Sequence, residues 1–184
     1  MRLKSPAQEC WEFDIEIILK RIEAMSEREF KGSERLSRHR LSFPGVFYFV
    51  STAKATQAPP IDRLDFFQII SAEIAHMKQE RLVHCLALVL MPDHLHMIIR
   101  LGAKANLSQA IKLFKGRTAH QFNQLRQNSG SVWYKGFHDK MIRSAKDLSA
   151  YLLYLRLNPV TAKLAPSPEA WPYLLINDEI YEFL

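Results

Sequence analysis

The sequence predicts an α+β domain in which helices pack on a mainly antiparallel sheet of four to five strands. Two observations predict it. The hydrophobic period switches between two and 3.6 in the order β–α–β–β–α–β–α. The chain has 184 residues, 48% of them apolar and 24% charged, with 11 Phe, 6 Tyr and 3 Trp. That is enough for one domain with a real core, too short for two comfortable ones, and unlike a disordered chain.

The elements follow in order. Ile15, Ile18, Ile22 and Met25 recur at helical spacing, so residues 12 to 27 read as an amphipathic helix, followed by the polar, basic stretch Lys31 to Arg40. Residues 1–37 are therefore expected to form an N-terminal helical extension, 38–175 the main domain and 176–184 a tail. Phe43-Pro44-Gly45 signals a turn, and the β-branched and aromatic run Val46 to Val50 a first strand. Beyond a loop marked by Pro59 and Pro60, Asp62 can cap a helix burying Phe67, Ile70, Ile74 and Met77 through about Glu80. Leu82 to Leu90 is almost continuously apolar, as in a strand buried on both faces. After the turn Met91-Pro92-Asp93, residues 94–101 alternate strictly: Leu95, Met97, Ile99 and Leu101 on the core side, His94, His96, Ile98 and Arg100 on the other. The two runs form a hairpin.

Asn106 opens a helix with Leu107, Ile111, Phe114, Phe122 and Leu125 inward and a basic outer face of Lys112, Lys115 and Arg117. A turn at residues 128–131 leads to a strand expected over Val132 to Ile142. Ser144 and Asp147 then cap a helix from Ala145 to Leu157 that Pro159 ends or kinks. A Pro-rich stretch, Ala165 to Pro172, leads to the terminus. This order is that of the ferredoxin-like folds.

Lys and Arg outnumber Asp and Glu by 25 to 19, a net charge of +6 that leans toward a polyanionic partner. Cys10 and Cys85 are too few and too far apart to staple a secreted fold; free thiols in a reducing compartment are expected. No apolar run reaches the roughly 18 residues of a membrane span, and the start of the chain is unlike a signal peptide. A cytoplasmic protein without a membrane partner is expected.

Two constellations carry chemistry. On a strand, His94 and His96 project from one face within reach of a single cation, although such a pair also serves structurally or stands in solvent. Asp93 and His84 are the nearest possible supports for the pair, but are read as a turn residue and a hydrogen-bonded core histidine. On the last helix, Tyr151, Tyr154 and Asn158 share a face beside the stripe Leu148, Leu152 and Leu155. Aromatics on a helix flank often just pack, and Asn158 before Pro159 also fits the cap of a new helix. Taken together, two imidazoles and an Asn158 carbonyl oxygen make a three-ligand set for Mg²⁺ or Mn²⁺, with a phenol one helical turn away. A phenol, with a pKa of about 10, attacks phosphorus only when the phosphate is polarised and held in line.

Four stretches carry a resemblance: Phe43-Pro44-Gly45 with the strand it starts; Leu90-Met91-Pro92-Asp93-His94-Leu95-His96-Met97; Val132-Trp133-Tyr134-Lys135-Gly136-Phe137-His138-Asp139; and Tyr154-Leu155-Arg156-Leu157-Asn158-Pro159-Val160, with Trp171-Pro172-Tyr173 downstream. Over residues 38 to 175 the chain resembles the REP-associated tyrosine transposases, a branch of the single-tyrosine HUH transposases. The resemblance implies an HUH endonuclease fold and single-stranded DNA bearing a hairpin from a repetitive extragenic palindrome as substrate. It implies that Tyr154, not Tyr151, attacks to leave a 5′-phosphotyrosine and a free 3′-hydroxyl, and that Asn158 completes the metal site. The N-terminal residues have no counterpart in it.

Lys112, Lys115, Arg117, Lys135, Lys140 and Arg143 are candidate phosphate contacts, and His138 a residue near the scissile group. Trp133 is expected to pack. Two further functions fit the residues: a non-catalytic regulator binding DNA or RNA hairpins, and a metallohydrolase in which water replaces the tyrosine. A monomer and a homodimer are equally compatible with the sequence.

Overall fold

The computed structural model describes residues 42–55 and 63–184. The expected helix over residues 12–27, Cys10, Pro59, Pro60 and the Asp62 cap lie outside the described residues. The elements are β1 (Phe47–Ala53), α1 (Arg63–Gln79), β2 (Val83–Leu90), β3 (His94–Leu101), α2 (Leu107–Leu125), β4 (His138–Ile142), α3 (Ala145–Thr161) and β5 (Leu174–Ile176), with short 3-10 turns at Pro168–Ala170 and Asp178–Phe183. They form the antiparallel α+β sheet expected, in the order β4-β1-β3-β2-β5.

The pleat of β3 divides the molecule. Leu95, Met97, Ile99 and Leu101 point into one buried cluster with Tyr48 and Val50 of β1, Phe66, Ile70 and Met77 of α1, and Ile111, Phe114 and Phe122 of α2. The opposite face, with Phe49 and Ser51 of β1 and His96 and Ile98 of β3, lies under α3. The histidine face is thus covered at its middle, where Ile98 is fully buried, while Arg100 at its end is exposed.

Several expected boundaries move. Strand β1 continues past Val50 to Ala53 because Ser51, Thr52 and Ala53 pair with His96, Leu95 and His94. In α1 it is Phe66, not Phe67, that is fully buried. Leu125 at the end of α2 is 56% exposed instead of inward. Strand β4 is five residues, and the preceding segment makes only an isolated bridge, Lys54 to Trp133. Trp133 packs as expected, its indole N–H donating to Thr118 Oγ1 at 2.9 Å within the core. Helix α3 neither stops at Leu157 nor restarts at Asn158 but carries Pro159 inside it to Thr161. The boundary drawn at residue 175 falls within β5, and beyond it Ile180 is fully buried.

Caps behave as the sequence suggests. Asn106 and Gln109 form a reciprocal capping box on α2, and Ser144 accepts the Asp147 N–H at the start of α3. Gly102 is a residue the backbone demands, since a Cβ there would stand 1.9 Å from the Arg81 carbonyl oxygen. Cys85 is a free, buried thiol that burial pushes up to about 12.

Candidate active site

His94 opens β3 and His96 follows two residues on, so the pleat puts both rings on the α3 side, 4.5 Å apart between centroids. Each Nδ1 has its own partner. His94 Nδ1 lies 2.7 Å from Asp93 Oδ1, and His96 Nδ1 lies 2.6 Å from Ser51 Oγ. The Nε2 atom of each ring is thereby on the side away from these partners, and histidines held at one nitrogen by an outer partner are the usual donors of metal sites. Burial, then the neighbouring His94, holds His96 well below the ordinary histidine range, so its imidazole is neutral and keeps a lone pair. The hydrogen bond with His94 holds the Asp93 carboxyl below its usual range as well.

Asp93 is more than the turn residue expected, and Ser51 is a partner that local sequence does not announce. The signal for Asp93 was adjacency to His94. For Ser51 it lay only in the register, where Ser51 stands opposite His96. His84 is hydrogen-bonded as expected, at 3.2 Å from the Asn177 amide, but it is half-buried and sits at the β2–β5 edge away from this pair.

Helix α3 brings the phenol. Leu148, Leu152 and Leu155 bury its apolar stripe, and Tyr154, also buried, places its hydroxyl 3.2 Å from His96 Nε2. Phe49 fills the space between: it stacks on Tyr151 at 4.6 Å and on His96 at 5.2 Å and meets Tyr154 edge-on at 5.5 Å. The two tyrosines therefore differ, since the Tyr151 ring lies on Phe49 while the Tyr154 hydroxyl reaches the histidine. Asn158, half-buried, is one turn beyond Tyr154 on the same helix face. Among the described residues no group of three or more His, Cys, Asp or Glu gathers to hold a metal. Two imidazoles with an amide oxygen, such as the Asn158 side chain would offer, are a donor set that suits a divalent cation with open positions.

The candidate DNA contacts divide. His138 pairs with Ser51, and Lys140 with Phe49, so both occupy the histidine face at the edge strand. Lys135 and Arg143 are exposed on either side of β4. Lys112, Lys115 and Arg117 belong to α2, which packs on the opposite face of the sheet. Lys112 is exposed there, but the other two do not form the outward basic face expected. Lys115 Nζ donates to the carbonyls of Tyr134 at 2.6 Å and Gly136 at 2.5 Å, and Arg117 donates to Glu73 and Glu80.

No helix among the described residues is long and apolar enough to cross a membrane. A Haemophilus influenzae protein provisionally named a REP-associated tyrosine transposase is 29% identical over 105 residues, 51% of this chain; the chain spans 59% of that relative's length. A solved structure of a REP-associated tyrosine transposase bound to a REP hairpin superposes with a TM-score of 0.63 at 21% identity, covering 75% of this chain and 81% of that one. This likeness shows that the fold is shared. The model of the family described as "Transposase IS200 like" matches residues 63–156, half of the chain, a span that holds His94, His96 and Tyr154, and the protein belongs to that family.

Proposed function

We propose that the chain is a metal-dependent endonuclease and strand transferase for single-stranded DNA, acting at hairpin-bearing palindromic sequences through Tyr154. The observation that carries the reading is the 3.2 Å approach of the Tyr154 hydroxyl to His96 Nε2, which puts a nucleophile beside a pair of neighbouring imidazoles. Relatives named for REP-associated transposition, one of them solved with a REP hairpin, support the substrate class.

In this reading His94, His96 and the Asn158 amide hold Mg²⁺ or Mn²⁺, which when bound polarises the scissile phosphate and offsets its charge. The chain's own residues do the rest. Asp93 and Ser51 fix the imidazoles by their Nδ1 atoms, and Phe49 fixes the planes of His96 and Tyr154. The Tyr154 oxygen forms a bond to phosphorus as the bond from phosphorus to the 3′ oxygen breaks. The phenolic proton passes to solvent and the departing 3′ oxygen takes one from it. The product is a 5′-phosphotyrosine and a free 3′-hydroxyl, which reverses the step when a 3′-hydroxyl of another strand enters. Lys135, Lys140, Arg143 and His138 line the approach along β4. The catalytic domain runs from about residue 38 through the end of β5 at Ile176, and residues 1–37 are an extension to it. The protein acts in the cytoplasm, as a monomer or homodimer.

Incubation of labelled hairpin DNA with the chain and Mn²⁺ tests this. A covalent adduct is expected that Tyr154→Phe removes and Tyr151→Phe retains. Hairpin binding without adduct would instead support the regulator, and metal-dependent cleavage by Tyr154→Phe the metallohydrolase.

A further inference from the structure

Tyr134 has no place in the core, being 54% exposed, yet its backbone is held on three sides. Its N–H donates to the Ala53 carbonyl at 2.9 Å. Its carbonyl, with that of Gly136, accepts from Lys115 Nζ, a side chain that reaches the loop from α2. The preceding residue, Trp133, is buried and bonded to Thr118. A loop fixed this firmly pre-sets the direction of the side chain it carries.

That direction follows from the pleat. Lys54 and Trp133 are bridge partners, and Trp133 packs with α1 and α2; the next residue, Tyr134, lies on the other side, next to Ala53. Ala53 is in register with His94. Across the end of the sheet the row runs Tyr134, Ala53, His94, parallel to the row His138, Ser51, His96. The exposed Tyr134 is therefore placed by register two strands from His94 on the histidine side of the sheet, followed in the chain by the exposed Lys135.

An unpaired base offers a flat apolar face and a following phosphate, which is what an aromatic ring beside a cation takes up without regard to sequence. We infer that Tyr134 forms a stacking subsite for the unpaired nucleobase next to the scissile phosphate, with Lys115 as the residue that positions the loop. The inference rests on the DNA reading above and adds a contact that selects single-stranded over duplex DNA at the cleavage point, since a base inside a duplex has no free face.

The test measures hairpin affinity in the Tyr154→Phe background, where nothing is cleaved, on DNA with one abasic site placed in turn at each flanking position. Tyr134→Ala is expected to weaken binding about 5- to 150-fold, the range for one lost base–aromatic stack, and Tyr134→Phe to stay within about threefold. At one position the abasic site costs the parent protein as much and costs Tyr134→Ala nothing further. A 2-aminopurine at that position is quenched by the parent but not by Tyr134→Ala. Lys115→Met loses part of the quenching and leaves the salt slope of binding unchanged, whereas Lys135→Ala lowers that slope by about 0.7. Full affinity for Tyr134→Ala, or losses that simply add at every position, overturns the subsite while leaving the DNA reading intact. Failure of the parent to bind any hairpin removes both.

Discussion

Ser51 Oγ lies 2.6 Å from His96 Nδ1 at a point where β1 and β3 are in register, and both residues are buried. The contact fixes which imidazole nitrogen faces Tyr154. Removing it leaves a buried nitrogen without its partner and a ring free to turn. Ser51→Ala is expected to lower both Mn²⁺ affinity, read by calorimetry, and adduct formation by about 10- to 100-fold, the usual effect of deleting an outer partner of a ligating histidine. Ser51→Thr, which keeps the hydroxyl, restores most of both. Unchanged metal affinity in Ser51→Ala would show that the hydroxyl does not orient the ring.

Arg117 was a candidate phosphate contact, but its guanidinium bridges Glu73, 3% exposed, and Glu80. It holds the Glu80 carboxyl below its usual range, chiefly through this hydrogen bond. Arg117→Met strands the Glu73 carboxylate in the interior. The expected cost is about 2–3 kcal/mol in urea unfolding, less than the loss for a fully buried pair because Arg117 is itself partly exposed. The salt slope of DNA binding should not change. A lower slope with full stability would return Arg117 to the DNA.

The backbone turns that end the helices make a third prediction. Arg81, Gln127 and Lys163 adopt φ of 58°, 48° and 56°, each at the left-handed position after a helix. At α1, Leu82 N–H bonds Met77 O and Arg81 N–H bonds Lys78 O; α3 ends alike, with Leu164 on Pro159 and Lys163 on Val160. A side chain there is strained, so Lys163→Gly or Gln127→Gly is expected to stabilise by about 1 kcal/mol, raising Tm by roughly 2–4 °C. Gly102→Ala works the other way. Its Cβ would meet the Arg81 carbonyl oxygen at 1.9 Å, and a loss of about 4 kcal/mol or more is expected. Calorimetric melting reads both signs; a Tm for Gly102→Ala within a degree of the parent contradicts the close approach.

What was legible in the sequence was whatever periodicity encodes. The alternation from His94 to Leu101 assigns every side chain of β3 to its observed face, and the spacing of Tyr154 and Leu155 assigns α3 its stripe and its phenol. Contacts between distant residues were not legible by that means. Ser51 and Thr52 are polar and look like the start of a loop, yet pairing with β3 extends the strand through both. Pro159 reads as a stop, yet a helix whose preceding turn is anchored by Leu152 and Leu155 tolerates the one N–H it loses. Lys115 and Arg117 look like solvated charges until the loop at 134–136 and the buried Glu73 supply partners from 19 to 44 residues away.

Lys115 also sets a pH dependence. Burial lowers its ammonium from 10.5 to about 8, so between those values the folded chain has lost a proton that the unfolded chain still holds. Stability rises with pH wherever the unfolded state binds more protons. The burial cost is therefore present in full below pH 8, is relieved as pH climbs, and is gone by about 10.5, where both states are neutral. The loop survives this change, because a neutral amine keeps two N–H groups for its two acceptors, the carbonyls of Tyr134 and Gly136. Comparing the parent with Lys115→Met isolates this contribution, because everything the two proteins share cancels. The stability difference, parent minus variant, is expected to be flat from pH 6 to 8 and then to rise toward pH 10.5. A difference that falls over that interval would mean that the ammonium form is the one the loop prefers, with its two carbonyls outweighing the loss of water around the charge.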